Sequence, residues 1–201
     1  MTYMSMAQAL QALQVAKVLV PYVPSRTRRL PKRRLYLTTE ALHDLNDPNS
    51  ALNLLAQSKP YTRARIVAGL DRWVLGDRIF LSQKARFLCR LTPSPTDVWE
   101  LRITDPTPQV RLFGRFLEPD TLVITKCHMR NHLGDRGSRT WTTAMRACAG
   151  QWTQIFPTMA PFTSANIHEY ITENCDDYGP DCHPPPGTQR TGRVRRRTNS
   201  K

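Results

Sequence analysis

The chain is short of acid. In 201 residues, 16 Asp and Glu stand against 29 Lys and Arg, a formal net charge of +13. Residues 1–34 carry seven cations and no carboxylate, residues 35–156 sixteen against eleven, and residues 157–201 six against five. The deficit points to a polyanionic partner, nucleic acid first, although much of the excess sits in the two tails. Apolar runs of membrane-spanning length are missing as well, and no membrane partner is expected. The apolar N-terminal patch has no cation ahead of it and is interrupted by Lys17, which argues against a secretory leader. Glycine is sparse, at 9 residues. No phosphate-cradling glycine loop, dinucleotide fingerprint or Ser/His/Asp set occurs, so those nucleotide and hydrolase chemistries drop out. The five cysteines are odd in number and widely spaced, which suits reduced thiols in the cytoplasm rather than a disulfide framework. His168, Cys175, Cys182 and His183 do not have common zinc-finger spacing, so neither metal nor cofactor is expected.

What is present reads in order. Residues 4–20 suit a helix, being rich in Ala, Leu and Gln. PYVPSRTRRLPKRR follows, three prolines among six cations, read as a basic arm or linker. Leu35-Tyr36-Leu37 is a short strand, and Thr38 or Thr39 caps a helix over Ala41–Leu45. A second helix starts near Ser50, and a third carries Ile66, Leu70, Trp73 and Val74 at helical spacing. Four β-type runs come next, Phe87–Leu91, Val98–Ile103, Val110–Leu117 and Thr121–Met129, joined by short Pro/Asp/Thr turns that suit an antiparallel meander. Thr140–Ile155 is a closing helix whose stripe of Trp141, Ala144, Met145, Cys148, Trp152 and Ile155 reads as core. The last stretch, HPPPGTQRTGRVRRRTNSK, has six cations, no acid and too little apolar surface to fold alone. The expected architecture is α+β: one small domain over 35–156, with an antiparallel sheet of about four to five strands against N-terminal helices and a C-terminal helix. It is flanked by an N-terminal helix and basic arm (1–34) and a flexible basic tail (157–201).

The last two strands carry the sharpest signal. Pro119-Asp120 between them is a tight turn, and it sets Glu118 against Thr121 and Arg111 against His128. Alternation then puts Arg111 and Arg115 on the same face as Lys126 and His128. If the second strand stays extended, Ile124, Arg130 and His132 join them.

LYLTTEALHDL (Leu35–Leu45), the helical pair, and the strands VWELRI, VRLFGRF and LVITKCHMRNHLG resemble the RelE/ParE toxin superfamily, in particular its HigB-like, phage-associated branch. The likeness spans about 35–156 and includes Trp99-Glu100-Leu101-Arg102. It implies a toxin of a type II toxin–antitoxin system: a ribosome-dependent messenger-RNA endonuclease that blocks translation and is neutralised by a cognate antitoxin protein. The family's consecutive lysines are replaced here by Lys126-Cys127-His128-Met129-Arg130-Asn131-His132. Its C-terminal catalytic tyrosine has no clear counterpart, since Tyr170 and Tyr178 fall in the expected tail.

Metal-independent RNA cleavage needs a base for the 2′-hydroxyl, cations for the phosphate and an acid for the leaving oxygen. Histidine suits the proton steps and arginine the phosphate. Arg111, Lys126, His128, Arg130 and His132 are therefore the catalytic candidates. Arg90, Arg102, Arg115, Arg195, Arg196 and Arg197 are the candidate RNA contacts, with Glu100 a possible in-chain partner of Arg102. The competing readings are a ParE-like gyrase poison on the same fold, and a non-catalytic, phage-associated nucleic-acid-binding protein whose basic face only touches phosphates.

Overall fold

The computed structural model describes residues 5–24, 28–59, 61–79, 87–91, 97–105, 107 and 109–175. The chain starts with helix α1 (Met6–Val15), opened by a capping box in which the Ser5 hydroxyl accepts from the Gln8 amide and the Gln8 side chain accepts from the Ser5 amide. Lys17 takes a left-handed φ of 57° and turns the chain into strand β1 (Leu19–Pro21), where a continuous helix to residue 20 was expected. Strand β2 (Arg34–Thr38) runs into α2 (Thr39–Asn46), with the Thr38 hydroxyl capping Ala41 N. Helices α3 (Ala51–Ser58) and α4 (Tyr61–Val74) follow. Then come β3 (Leu88–Arg90), β4 (Trp99–Ile103), β5 (Val110–Glu118), β6 (Thr121–Met129) and α5 (Arg139–Ile155).

Six strands form one sheet in the order β1-β2-β6-β5-β4-β3. The sheet is larger than expected and mixed. β2 pairs in parallel with β6 (Leu35 with Leu122, Leu37 with Ile124), and every other pairing is antiparallel. The physical reason is the crossover: α2, α3 and α4 carry the chain over one face from β2 to β3 at the far edge, and three antiparallel reversals then bring β6 back beside β2 in the same direction.

The β5–β6 hairpin has the register its turn predicts, Glu118 against Thr121 and Arg111 against His128, with Asp120 at φ 55°. Two residues depart from simple alternation, one on each strand, and their shifts cancel: Leu117 is left unpaired between the pairs Phe116 with Leu122 and Glu118 with Thr121. Phe113 pairs with Lys126 but Gly114 with Ile124, so Thr125 is an unpaired bulge. Ile124 therefore faces away from Lys126 and His128, a correction to the expected face. Gly114 is required there, because a Cβ would lie 2.3 Å from the Val123 carbonyl oxygen.

Both faces of the sheet are buried. On one, Leu35, Leu37, Leu101, Leu112 and Ile124 meet Ile66, Leu70 and Trp73 of α4. On the other, α5 lays Trp141, Met145 and Cys148 on Val98 and Phe113, and Trp152 packs with Leu10 of α1, Leu19, Tyr36 and Val123. Burial extends beyond residues 35–156. Leu10 and Leu19 are core, and Tyr170, expected in the tail, is fully buried with its ring 4.8 Å from Trp99 and 5.0 Å from Phe116.

The expected basic arm is also anchored. Arg33 is 3% exposed, lies 5.1 Å over the Trp73 ring and pairs with Asp120 at 3.4 Å. Arg29, Lys32 and Arg34 pair with Asp77, Glu173 and Glu118. Four of the arm's six cations are thus held by carboxylates, which is not the behaviour of a solvated linker.

Candidate nucleic-acid interface

At the end of the sheet where β4 and β6 finish and β5 begins, the face toward α5 carries a cluster of charge. Its centre is Glu100 of β4, fully buried. Arg102, two residues on and so on the same face, reaches Glu100 Oε1 with Nε at 2.7 Å and Nη2 at 2.6 Å. Arg136 donates to the same oxygen from the loop before α5. Arg111, across from Arg102 on β5, places Nε 3.3 Å from Oε2, an ion pair without hydrogen-bond alignment. Arg111 also donates to the Val110 carbonyl at 3.0 Å and to Gln109 Oε1 at 2.5 Å.

Arg130 donates to the Gly134 carbonyl and lies 5.1 Å over the Trp141 ring, with Arg136 5.9 Å from the same ring. Burial pulls the Arg111 guanidinium down to about 10, against the pull of Glu100, and the charges of Arg102, Arg130 and Arg136 push it further down. Four guanidinium groups around one carboxylate leave a surplus of three positive charges. The Arg136 side chain, at 42%, is the most exposed of the three paired with Glu100.

The other expected residues go elsewhere. Backbone register puts Arg111, Arg115, Lys126 and His128 on one face, but their side chains diverge. Lys126 turns to α2, where Glu40 and Asp44 bind it, the latter at 3.4 Å; these contacts outweigh burial and hold its ammonium above the ordinary value. Arg115 lies under α5, 5.7 Å from the Trp152 ring. His128 stacks edge-on against Phe113 at 5.1 Å, with its Nε2 buried and without a hydrogen-bond partner. Burial first, then the charge of Lys126, lowers its pKa to about 4, with His132 adding to the depression and Glu40 opposing it. It is neutral at physiological pH.

The strand does not stay extended to His132. β6 ends at Met129, and Arg130–His132 form a 3-10 turn that carries His132 out to solvent. Arg90 sits on the opposite face, paired with Asp97, donating to the Ser164 carbonyl at 2.8 Å and lying 5.7 Å from the Tyr170 ring. Arg195, Arg196 and Arg197, like Tyr178, Cys182 and His183, lie outside the described residues. Among the described residues no group of three His, Cys, Asp or Glu side chains could hold a metal.

Sequence reasoning found Arg102, its partner Glu100, Arg111 and Arg130, and missed Arg136 and Trp141 as neighbours of that group. Arg136 stands in a loop whose two glycines, Gly134 and Gly137, take φ of 66° and 83° and fold it back over the sheet. Nothing in local periodicity marks that return. Chemically, the cluster can hold a phosphate: its arginines are pre-positioned by Glu100 and offer planar donor forks. His132 is exposed on the adjacent turn.

The chain matches no family model, no curated protein and no solved structure. No helix among the described residues is long and apolar enough to cross a membrane.

Proposed function

We propose that this protein binds RNA through the arginine cluster around Glu100 and acts as a toxin of the RelE/HigB type, cleaving messenger RNA on the ribosome and held in check by an antitoxin protein. The observation that carries the reading is the surplus of positive charge gathered at the end of β4, β5 and β6 beside an exposed histidine. From β2 onward the order of elements, strand, helices, antiparallel strands, helix, supports this reading. In this reading Arg136 and Arg130 contact phosphate, and His132 takes the proton of the 2′-hydroxyl as that oxygen attacks phosphorus and then returns it to the departing 5′-oxygen. Glu100, Lys126 and His128 position the strands that present them. No step requires a metal.

Induced expression in a bacterium should arrest growth and create new transcript 5′ ends inside coding sequence. Arg136→Ala should weaken RNA binding, and His132→Ala should lower cleavage by about a hundredfold, the scale of one lost proton-transfer group. Arg63→Ala, on the far side of the sheet, should leave both unchanged. Growth arrest with a DNA-damage response and no new ends would favour the gyrase-poison reading instead.

A second reading, a non-catalytic RNA-binding protein, is favoured by the buried Nε2 of His128 and the committed ammonium of Lys126. Full RNA binding with no cleavage, unaffected by His132→Ala, would select it.

A further inference from the structure

On the opposite face of the sheet the helices leave a cavity of about 130 Å³. Leu37 of β2, Leu42 and Leu45 of α2, Leu52 of α3, and Ile66 and Leu70 of α4 line its apolar part, and it opens to solvent on one side. Packed interiors hold few voids of this size, and an apolar cavity near 150 Å³ stays dry and accepts benzene. The mouth has a different character. Asn46, Asn53 and Arg63 line both the cavity and a shallower depression outside it.

Arg63 Nη2 donates to Asn46 Oδ1 at 2.9 Å, and among the described residues Arg63 has no carboxylate partner. Its neighbour Arg65, two residues on, pairs with Asp105 at 3.2 Å. A guanidinium carries five N–H donors in a fork matched to a carboxylate, so most of its capacity is unspent. Asn53 is already committed, donating to the Asp47 carbonyl at 2.6 Å. The charged recognition therefore falls to Arg63.

We propose that this cavity is a binding site for a small apolar monocarboxylate, its hydrocarbon body of about one aromatic ring among the leucines and its carboxylate on Arg63. The proposal does not depend on the RNA reading, because the site shares no residue with the Glu100 cluster. The body is limited by volume: ligands of drug size need cavities of about 300 Å³ or more. The head is limited by charge, since a neutral amide cannot use the ionic half of the contact.

The test is a titration of the full chain by amide-resolved NMR with benzoate and, in parallel, with benzamide. Benzoate should shift the amides of Leu52, Ala56 and Ile66. Arg63→Gln should weaken it about tenfold, and wild type should bind benzamide about tenfold less tightly than benzoate. Ala56 lines the cavity, and Ala56→Leu should fill it and abolish the shifts while melting temperature holds or rises. Equal affinity for benzoate and benzamide would overturn the carboxylate assignment. Benzoate shifts that survive Ala56→Leu, or that fall only on the Glu100 cluster, would overturn the site.

Discussion

At the scale of single residues, Glu100 decides how the charged cluster can exist at all. It is fully buried and neutralises part of a field created by four arginines. Removing one partner of a buried ion pair leaves uncompensated charge and costs about 3–5 kcal/mol. Glu100→Gln should therefore lower the urea midpoint sharply, while the proposed RNA affinity at low salt holds or rises because the cluster gains net charge. Inorganic sulfate should recover more stability in the variant than in the wild type. A variant with unchanged stability would mean that the arginines do not need their carboxylate.

His128 gives a second residue-scale test. The folded state holds it near a pKa of about 4, against 6.5 in the unfolded chain. Between those values the unfolded chain takes up a proton that the folded chain refuses, so stability falls as pH drops through that window. His128→Gln should flatten the fall between pH 6.5 and 4.5, measured as urea midpoints. An unchanged slope would place the responsible group elsewhere.

At the scale of elements, the hairpin shows what local sequence encodes and where it stops. Alternating residues and the Pro119-Asp120 turn give the pairing of Arg111 with His128, which holds because two irregularities, at Leu117 and at Thr125, cancel between the turn and that pair. The Thr125 bulge was not legible, because one extra residue leaves both strands looking extended and displaces Ile124 only through its partner, Gly114. Gly114→Ala should cost about 1–3 kcal/mol or more, since the obstruction is backbone and cannot rotate away. Gly150→Ala in α5 meets nothing within 4 Å and should stabilise by about 0.5–1 kcal/mol. Equal urea midpoints for the two variants would refute the close approach.

Helix α2 supplies another feature that no periodicity reports. β2 stops pairing with β6 at Ile124, and α2 takes over beyond it: Asp44 accepts the Cys127 amide at 3.1 Å and Thr38 donates to the Thr125 carbonyl at 3.0 Å. A helix thus covers an edge that would otherwise leave buried polar groups without partners.

At the scale of the whole molecule, the apolar stripe of α5 was legible as core, but not which face of the sheet it covers. That choice sets the fate of the basic face, since α5 hides Arg115 and leaves the cluster near Arg136 at its rim. Strand β1 was illegible for a simpler reason: three residues, one of them proline, carry no pattern. Leu10 and Leu19 are 5% and 1% exposed, and burying such side chains contributes about 1.5–3 kcal/mol each. Deleting residues 1–24 should remove a large part of a stability that totals about 5–15 kcal/mol in ordinary domains. Calorimetry should then show a broad or absent transition. Deleting residues 184–201, with six cations and no acid, should leave the transition intact. The salt dependence of the proposed RNA binding should flatten by about one unit for each phosphate the shortened chain no longer neutralises.

The parallel pairing of β2 with β6 also governs when this protein can come into being during synthesis. Residues 34–37 must wait for residues 121–124, and no earlier strand can stand in for the missing neighbour. A chain growing at about 5–20 residues per second therefore carries an incomplete sheet for several seconds. By the end of that interval Glu100, Arg102 and Arg111 have been made, but Arg130 and Arg136 have not. The cluster is complete only once Arg136 has been added, so the strands that carry it can pair before its charges are all in place.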